Sequence, residues 1–262
     1  MCYTKSMQWF EKEDFWIQYG PIMFDQQRWA ESADVAEKVC SIAKLKPGSK
    51  ILDAGCGPGR ITTELALLNM DVTGIDIIQP FLDAAKESAD DEGVSVNLVN
   101  ADLRNFCPQS ADSKNDYFEK FDLAVNLYTS FGYCDTIEED TLILKNIFNS
   151  IKKGGTFILE MTSRESAIKY FTEGEWFRRA GKIVFTEFSV QGAWEGLVSK
   201  WTLIDETTGE KTEHCFVQRL YSAVEFCRTL KEIGFTSIEV EGGFDGEKYD
   251  QNLKTLVIIA RK

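Results

Sequence analysis

The segment ILDAGCGPGR, residues 51–60, runs from two apolar residues into Asp53 and then places glycines at alternate positions: Gly55, Gly57 and Gly59. This pattern predicts a strand, a tight turn and a helix, because residues without a Cβ atom permit unusual dihedrals and the close approach of a ligand. The dinucleotide fingerprint requires a glycine where this segment ends in arginine, so a pyrophosphate ligand is disfavoured. The turn itself leaves open whether it faces a carboxylate or a phosphate.

The length and charge of the chain restrict its possible partners. Its 262 residues are enough for one elaborated domain with a substantial core. The 29 basic and 42 acidic side chains give a formal charge of −13, which repels the phosphate backbone of nucleic acids. No apolar run approaches the roughly 20 residues that cross a bilayer, and the first residues lack the apolar region of a signal peptide. We therefore expect a soluble, cytoplasmic protein without nucleic-acid or membrane partners.

The cysteines show no metal-binding or redox spacing. No two of them form the C-x-x-C pair that a zinc knuckle or a redox motif would need. We therefore expect reduced, mainly structural thiols and no metal site. The seven positions are Cys2, Cys40, Cys56, Cys107, Cys134, Cys215 and Cys227.

The first two thirds of the chain alternate between strand-like and helix-like stretches after an aromatic-rich beginning. Residues 1–45 become helical from about residue 29 and are predicted to form an N-terminal helical flap. Strands are predicted at KILDA, DVTGID, VNLVNA, FDLAVNLY and TFILEM, and helices at 60–68, 80–90 and 138–151. The segment KKGG is predicted to close the last of these helices before residue 154. This alternation is typical of a parallel sheet in an α/β protein.

A β-rich insertion interrupts this order. The runs KIVFTEFSV, LVSKWTLID and EHCFVQRL, separated by glycine-containing turns, predict an antiparallel insertion over residues 164–218. A helix at 222–233 and the strands TSIEVEG and TLVIIA then complete the first sheet. The predicted fold is therefore α/β, a doubly wound, seven-stranded, mostly parallel sheet, with its core at 46–163 and 219–262.

The insertion carries large aromatic side chains: Trp176, Phe177, Trp194 and Trp201. A sheet of this size must bury apolar surface against something. We expect it to be either a lid over the site or the arm of a homodimer.

The order of elements resembles the class I S-adenosylmethionine-dependent methyltransferases, whose Rossmann-like, seven-stranded sheet ends in an antiparallel hairpin. Asp76 in VTGIDI follows Gly55 by 21 residues, and the resemblance implies that it binds the ribose hydroxyls. It also implies that Asp102 and Leu103 in NADLRNF contact the adenine, where a carboxylate can accept from the exocyclic amine. Asp53 and the glycine turn would then face the methionine end.

The resemblance thus implies S-adenosyl-L-methionine as the cofactor and a set of residues around it: Asp53, Gly55, Cys56, Gly57, Gly59, Arg60, Asp76, Ile77, Asp102, Leu103, Asn126 and Leu127. Simpler explanations stay open for single members, because a strand-end aspartate can be only a helix cap and glycines can serve only a tight turn. The chain departs from the family at Ile78, where a small polar cap is usual. Pro80 is expected to begin the following helix instead.

The segment NLYTSFGY, residues 126–133, follows the predicted fourth strand at the edge where open α/β sheets bind ligands. It lacks the proline-rich tetrapeptide of family members that methylate DNA bases or protein glutamine. It is similar instead to small-molecule enzymes of the glycine N-methyltransferase-like and aminosugar N-methyltransferase type, which implies a small-molecule methyl acceptor. Tyr128 and Tyr133 are the catalytic candidates, with ordinary core packing as the alternative for each.

The predicted substrate pocket draws on the flap, the end of the fifth strand and the return from the insertion: Trp16, Tyr19, Glu160, Arg164, Arg219 and Tyr221. The implied reaction is an in-line displacement of the sulfonium methyl by a substrate nitrogen or oxygen, with aromatic faces near the cation. No general base is identified, and the single histidine, His214, is expected at a solvated strand position. A non-catalytic cofactor-binding module, a macromolecule methyltransferase and a nicotinamide-dependent oxidoreductase remain alternatives.

Overall fold

The computed structural model describes residues 8–24, 26–107, 115–252 and 254–262, without the side chains of residues 26 and 27. Cys2 and the first seven residues of the predicted flap lie outside these ranges. In chain order the elements are a 3-10 helix (Trp9–Glu11), α1 (Glu13–Met23), α2 (Gln26–Ala30), α3 (Ser32–Ile42), β1 (Lys50–Ala54), α4 (Arg60–Leu67), β2 (Asp71–Asp76), α5 (Gln79–Asp91), β3 (Asn97–Asn100), β4 (Phe121–Asn126), α6 (Ile137–Ser150), β5 (Ile151–Met161), α7 (Arg164–Lys169), β6 (Gly174–Arg179), β7 (Lys182–Gln191), β8 (Gly196–Asp205), β9 (Lys211–Arg219), α8 (Ala223–Ile233), β10 (Ser237–Glu241) and β11 (Leu256–Arg261).

The main sheet has seven strands in the order β10-β11-β5-β4-β1-β2-β3. Strands β1 to β5 pair in parallel, and β11 pairs antiparallel with both β5 and β10. The doubly wound, mostly parallel sheet predicted from the sequence is therefore confirmed, together with its antiparallel end. The strand order reverses at β1, which puts the glycine turn at the centre of the carboxyl edge.

Both faces of the main sheet are covered, so its central strands are buried on two sides. Successive residues of a strand point to opposite faces. In β1, Leu52 belongs to the core that also contains Ile147 and Phe226, whereas Ile51 belongs to the core that contains Leu65. This double burial is the reason that parallel strands of this kind are so rich in apolar residues.

Residues 8–24, here called the N-terminal strap, contain a helix that the sequence analysis did not predict. The pattern predicts helix only from about residue 29, but α1 lies within the strap, and α2 and α3 divide the predicted segment. The buried side chains of α1 include Phe15, Tyr19 and Ile22, which follow the helical spacing of four and three residues. The many neighbouring aromatic residues hide this periodicity in the sequence.

Strand β5 begins earlier than predicted. The KKGG segment was expected to close the preceding helix, but it is the first part of the strand Ile151–Met161. The register between β4 and β5 shifts near this point. Gly154 has a φ of 80°, and a Cβ atom on Gly155 would lie 2.5 Å from the side chain of Ile151. The two glycines therefore serve an irregularity inside the strand and do not end a helix.

The insertion forms a separate antiparallel sheet in the order β6-β7-β8-β9, as predicted, but with one strand more. Strand β6 is exposed along most of its length, so it lacks the apolar alternation by which the other three were found. One face of this sheet packs on the strap, where Val184 and Leu203 form a cluster with Phe15 and Tyr19. His214 also lies on this face, 4.9 Å from the Tyr19 ring, and is partly buried rather than solvated as expected.

Gly59 is required by the packing of two helices. It has a φ of 82° at the start of α4, and a Cβ atom there would lie 2.6 Å from the Cβ and 2.9 Å from the Cα of Ala85 in α5. We expect Gly59→Ala to lower the free energy of unfolding by about 1–3 kcal/mol more than Gly48→Ala does. Gly48 is a matched control because it also has a φ of 82° but nothing within 4 Å of the added atom. Equal losses in urea denaturation would show that backbone strain alone explains the glycine.

Candidate functional site

A cavity of about 130 Å³ lies at the carboxyl edge of the main sheet, and its walls are mostly apolar. It is bounded by the glycine turn after β1, the ends of β2 and β3, the segment after β4, and the strap. The lining residues are Phe10, Trp16, Phe24, Gly55, Gly57, Asp76, Ile77, Ile78, Phe81, Ala101, Asp102, Leu103, Arg104, Ser130, Phe131, Gly132, Tyr133, Cys134 and Ile143.

Hydrogen bonds within the fold hold the glycine turn. The N–H groups of Gly55 and Cys56 both donate to the carbonyl of Ile75, and that of Gly57 donates to Asp76 Oδ2. These donors already have partners inside the protein. The turn therefore lacks the set of free N–H groups with which a phosphate-binding loop surrounds its ligand.

Gly55 and Gly57 border the cavity with bare backbone. Gly55 has a φ of 82°, and a Cβ atom there would lie 3.2 Å from Ser130 Cβ. Gly57 has a φ of 53°, and a Cβ atom there would lie 3.5 Å from the Phe24 ring. Side chains at these positions would fill the space beside the turn, so the glycines leave a cradle for ligand atoms.

Asp76 ends β2 and holds the turns on both sides of it. Its Oδ2 accepts from the Gly57 N–H at 2.8 Å, and its Oδ1 accepts from the Ile78 N–H at 2.9 Å. This second bond gives a partner to the backbone N–H of Ile78 at the start of α5. The carboxylate of Asp76 therefore holds the start of this helix, so Ile78 can occupy the position where the family usually has a small polar cap. Burial raises the pKa of Asp76, and the backbone N–H groups of Ile78, Gly57 and Ile77 oppose that rise. Each carboxylate oxygen has a second lone pair, so both can still accept from a ligand hydroxyl.

Asp102 follows β3, faces the same cavity, and is paired with Arg104. Its Oδ1 accepts from the Arg104 N–H at 2.8 Å, and its Oδ2 accepts from Arg104 Nε at 2.8 Å. Sequence reasoning missed Arg104 as a lining residue. The signal was present, because an aspartate two residues before a turn position commonly bonds that residue's N–H.

Aromatic rings from the strap and from the segment after β4 form one wall. Trp16 Nε1 donates to the carbonyl of Phe10 at 2.8 Å, and Trp9 meets Tyr133 edge to face with 4.8 Å between ring centroids. Burial raises the pKa of the Tyr133 hydroxyl, so that it stays neutral at physiological pH. Ring faces carry negative electrostatic potential, and this wall therefore suits a cationic group.

Tyr128 and Thr129 adopt left-handed backbone conformations, with φ of 55° and 63°. The Tyr128 N–H donates to Glu160 Oε2 at 2.6 Å, and the Thr129 N–H donates to the Glu160 carbonyl at 3.2 Å. Two consecutive non-glycine residues in this region store strain, which is typical of functional segments. The Tyr128 ring lies outside the cavity lining, with Arg60 Cζ 4.3 Å from its centroid.

Asp53 lies behind the glycine turn and is 4% exposed. Its Oδ2 accepts from Thr62 Oγ1 at 2.7 Å. Burial raises the pKa of Asp53 to about 6, although the bond from Thr62 opposes this and the nearby charge of Asp76 adds to it. The carboxyl group therefore supports the turn from below, linking β1 to α4, and is not part of the lining.

The predicted site residues fall into three sets, one that lines the cavity and two that lie outside its lining. Those that line the cavity are Trp16, Gly55, Gly57, Asp76, Ile77, Asp102, Leu103 and Tyr133. Those predicted to contact the cofactor that lie outside the lining are Asp53, Cys56, Gly59, Arg60, Asn126 and Leu127. Those predicted for catalysis or for the substrate that lie outside it are Tyr19, Tyr128, Glu160, Arg164, Arg219 and Tyr221. Ligand contacts of all these residues stay predictions.

Three of the outlying residues lie at or next to the two ends of the insertion. Arg164 Nε donates to the carbonyl of Trp194 at 2.9 Å. Arg219 Nε and the Tyr221 hydroxyl both donate to Oδ2 of the buried Asp140, at 3.1 and 2.7 Å. Their polar groups have partners within the protein, which gives them a structural role. Long-range contacts of this kind leave no mark in the local sequence.

The lining residues that sequence reasoning missed have two kinds of origin. Ser130, Phe131 and Gly132 belong to the segment already singled out for its SFGY run and Cys134 directly follows it, so their position next to Tyr133 was the available signal. The aromatic residues Phe10, Phe24 and Phe81 reach the cavity only because the strap packs on α5, with Phe24 and Phe81 5.3 Å apart.

A sequence profile of the methyltransferase domain matches residues 45–211, well over half of the chain. The chain belongs to the methyltransferase domain family. This methyltransferase is similar in structure to an S-adenosylmethionine-dependent methyltransferase from Clostridium acetobutylicum ATCC 824, with a TM-score of 0.77, 16% sequence identity, and coverage of 94% of this chain and 98% of that one.

Two further relatives carry named activities. CalS10 from Micromonospora echinaspora, an amino pentose methyltransferase of calicheamicin biosynthesis solved with bound SAM, has a TM-score of 0.64 and 20% identity, over 94% of this methyltransferase and 96% of its own chain. A ubiquinone biosynthesis O-methyltransferase from Actinobacillus pleuropneumoniae serotype 7 (strain AP76) is 32% identical over 76 residues, 29% of this chain and 31% of its own.

Across the described ranges, no group of three or more His, Cys, Asp or Glu side chains could hold a metal ion. Among the helices of the described residues, none combines the length and the apolar character needed to span a bilayer.

Asp53 makes the stability of this methyltransferase depend on pH. Its pKa is about 6 when folded and 3.8 as a free side chain, so the folded state binds more protons between these values, and stability falls as the pH rises through that window. We expect Asp53→Asn, which keeps an acceptor for Thr62, to be more stable than the native chain at pH 8 by roughly 1–3 kcal/mol. The advantage should shrink towards pH 4. Urea unfolding at both pH values measures it, with the exposed Asp71→Asn as control; an advantage that does not change with pH would contradict the account.

Proposed function

We propose that this methyltransferase transfers the methyl group of S-adenosyl-L-methionine to a nitrogen or oxygen of a small molecule. The observation that carries the proposal is the placement of Asp76 and Asp102 on one apolar cavity that also borders Gly55 and Gly57. The two carboxylates follow the neighbouring strands β2 and β3. A nucleoside needs acceptors for its hydroxyls and its amine with an apolar slot between them, and this arrangement supplies all three.

The lining fits a nucleoside sulfonium better than a dinucleotide. Asp76 would accept from the ribose hydroxyls and Asp102 from the adenine amine, with Ile77 and Leu103 against the base. The N–H groups of Gly55, Cys56 and Gly57 are bonded within the fold and are not free for a pyrophosphate. Together with the arginine at the third glycine position of the dinucleotide fingerprint, this disfavours a nicotinamide-dependent oxidoreductase. The similarity to a SAM-bound structure, CalS10, further supports the proposed cofactor.

When bound, the cofactor supplies a methyl group on a positively charged sulfur that a nucleophile can displace. The chain itself contributes binding, orientation and the exclusion of water. Phe10, Trp16 and Tyr133 offer a dry, aromatic wall for the cation. Holding two reactants in line in this way lowers the barrier by on the order of 7–11 kcal/mol. No general base is assigned among the described lining residues, because its two carboxylates, Asp76 and Asp102, are proposed to bind the nucleoside.

The acceptor is proposed to be small because the strap covers the cavity and residues 126–133 lack the proline-rich motif of the enzymes that act on polymers. The relatives include both an amino pentose methyltransferase and an O-methyltransferase, so the proposal includes both nitrogen and oxygen as the atom that accepts the methyl group. The charge of −13 supports the absence of a nucleic-acid partner. The thiols of the described cysteines are free, which agrees with the proposed cytoplasmic location.

Removing the carboxylate of Asp76 tests its assignment to the ribose. We expect Asp76→Ala to weaken binding of S-adenosylhomocysteine at least tenfold, because a charge-assisted hydrogen bond contributes about 1.5–3 kcal/mol. Asp71→Ala, at the opposite and exposed end of the same strand, should bind like the native chain. Titration calorimetry measures both, with circular dichroism to verify folding. Native affinity in a folded Asp76→Ala protein would refute the assignment.

The proposed reaction is tested in two steps. Calorimetry with S-adenosylhomocysteine and with NAD should show binding of the first alone. Methyl-labelled S-adenosylmethionine is then offered with panels of small amines and hydroxyl compounds, and separately with DNA and protein. Label in a small compound is the expected result. Label in a polymer alone would contradict the acceptor class, and tight cofactor binding without transfer to any acceptor would favour a non-catalytic module.

A further inference from the structure

The guanidinium of Arg104 joins the core to the N-terminal strap. On the core side, its Nη2 lies 2.7 Å from Oδ2 of Asp102. On the strap side, the same Nη2 lies 2.5 Å from Oε1 of Glu11, and Nη1 donates to Oε1 of Gln8 at 3.4 Å. The Arg104 side chain is only 11% exposed, so solvent and salt screen these contacts less than those of a surface ion pair.

The strap presents Glu11 to Arg104 in a fixed orientation. Glu11 Oε2 accepts from the backbone N–H of Gln8 at 2.9 Å and so closes the capping box of the 3-10 helix. The Gln8 side chain in turn donates to Asp135 Oδ2 at 2.8 Å. Glu11 therefore has one oxygen on the strap's own backbone and the other on Arg104, which makes it the charged contact between strap and core at this point.

Closure of the strap determines access to the cavity. Phe10, Trp16 and Phe24 of the strap line the cavity together with Asp76 and Asp102 of the core. A nucleoside lying between these two groups of residues would have the strap as one of its walls, so movement of the strap would widen its path in and out. Asp102, the predicted acceptor for the adenine, shares the Arg104 guanidinium with that strap.

We propose that Arg104 is the latch of the strap: it holds Glu11 over the cavity, and breaking the Arg104–Glu11 contact sets the rate at which the nucleoside cofactor and its product exchange. This inference rests on the proposed function, because its ligand is that cofactor. Arg104 acts through Asp102 and Glu11 and not on the reacting atoms, so it is a positioning residue.

A latch has a kinetic signature that a simple binding contact lacks. The Arg104–Glu11 pair joins two side chains of the protein and needs no ligand to form. Weakening it therefore eases opening in both states, and association and dissociation should become faster together while the dissociation constant changes little. Loss of a ligand contact would instead raise the dissociation constant mainly through faster release.

The test uses Glu11→Gln in the full chain, with S-adenosylhomocysteine as the probe and stopped-flow tryptophan fluorescence as the readout. The amide keeps an oxygen for the Gln8 N–H but loses the charge. We expect both rate constants to rise about fivefold, equivalent to about 1 kcal/mol, with less than a twofold change in the dissociation constant. Higher salt should speed exchange in the native chain more than in this variant.

Two further variants keep the test decisive. Glu225→Gln breaks a comparable pair with Arg164, 3.0 Å apart and away from the strap, and should exchange at native rates. Arg104→Lys keeps a positive charge and should give rates between native and Glu11→Gln. Unchanged rates in Glu11→Gln, or a raised dissociation constant with unchanged association, would overturn the latch. Failure of the native chain to bind the probe at all would instead refute the proposed cofactor.

Discussion

The pair of hydrogen bonds from Gly57 and Ile78 to the Asp76 carboxylate is the constraint on which the site depends. One bond fixes the glycine turn after β1 and the other fixes the start of α5, so a single side chain sets the relative position of two neighbouring crossovers. The cost of burying that carboxylate is offset by these donors and leaves lone pairs that face the cavity. Without Asp76, two backbone N–H groups would lose their partners at the edge where the ligand is expected.

The strap adds the second constraint, because it converts an open sheet edge into a covered cavity. Its helix α1 lies between the four-stranded sheet and α5, with Phe15 and Tyr19 on one side and Trp16 close to Phe81 on the other. None of the residues of the four-stranded sheet lines the cavity. The insertion therefore contributes to the cavity only indirectly: it packs against the strap, and the strap supplies the aromatic wall.

The parts of the site that the sequence could predict are those fixed by chain direction and strand ends. Asp76 and Asp102 lie at or just after the carboxyl ends of β2 and β3, which meet at one edge of the sheet, and Gly55 and Gly57 lie in the turn after β1 at the same edge. The sequence could not show that Gly55 and Gly57 border the cavity whereas Gly59 serves helix packing, because the need for glycine at position 59 comes from Ala85 in another helix. The sequence also could not show whether a given side chain points into the cavity or away from it.

Tyr128 and Arg164 illustrate this limit. Tyr128 directly follows Leu127 in the predicted ligand-binding segment, yet its left-handed backbone places the ring beneath Arg60 and away from the cavity. Arg164 stands at a plausible pocket position after β5, but its guanidinium meets a carbonyl 30 residues further along the chain. Both outcomes depend on tertiary partners, which single-sequence patterns do not encode.

The stacking of Trp9 on Phe216, with ring centroids 4.5 Å apart, also fixes the order in which the protein can be completed during synthesis. The strap leaves the ribosome before the insertion does, but the sheet surface that covers its aromatic residues is made only when β8 and β9 have emerged, some two hundred residues later. Until then, Phe15 and Tyr19 lack the apolar partners that the four-stranded sheet supplies. The strap can therefore dock fully only after β9 has been made, and a nascent chain halted before β9 would expose both an aromatic helix and an uncovered sheet edge.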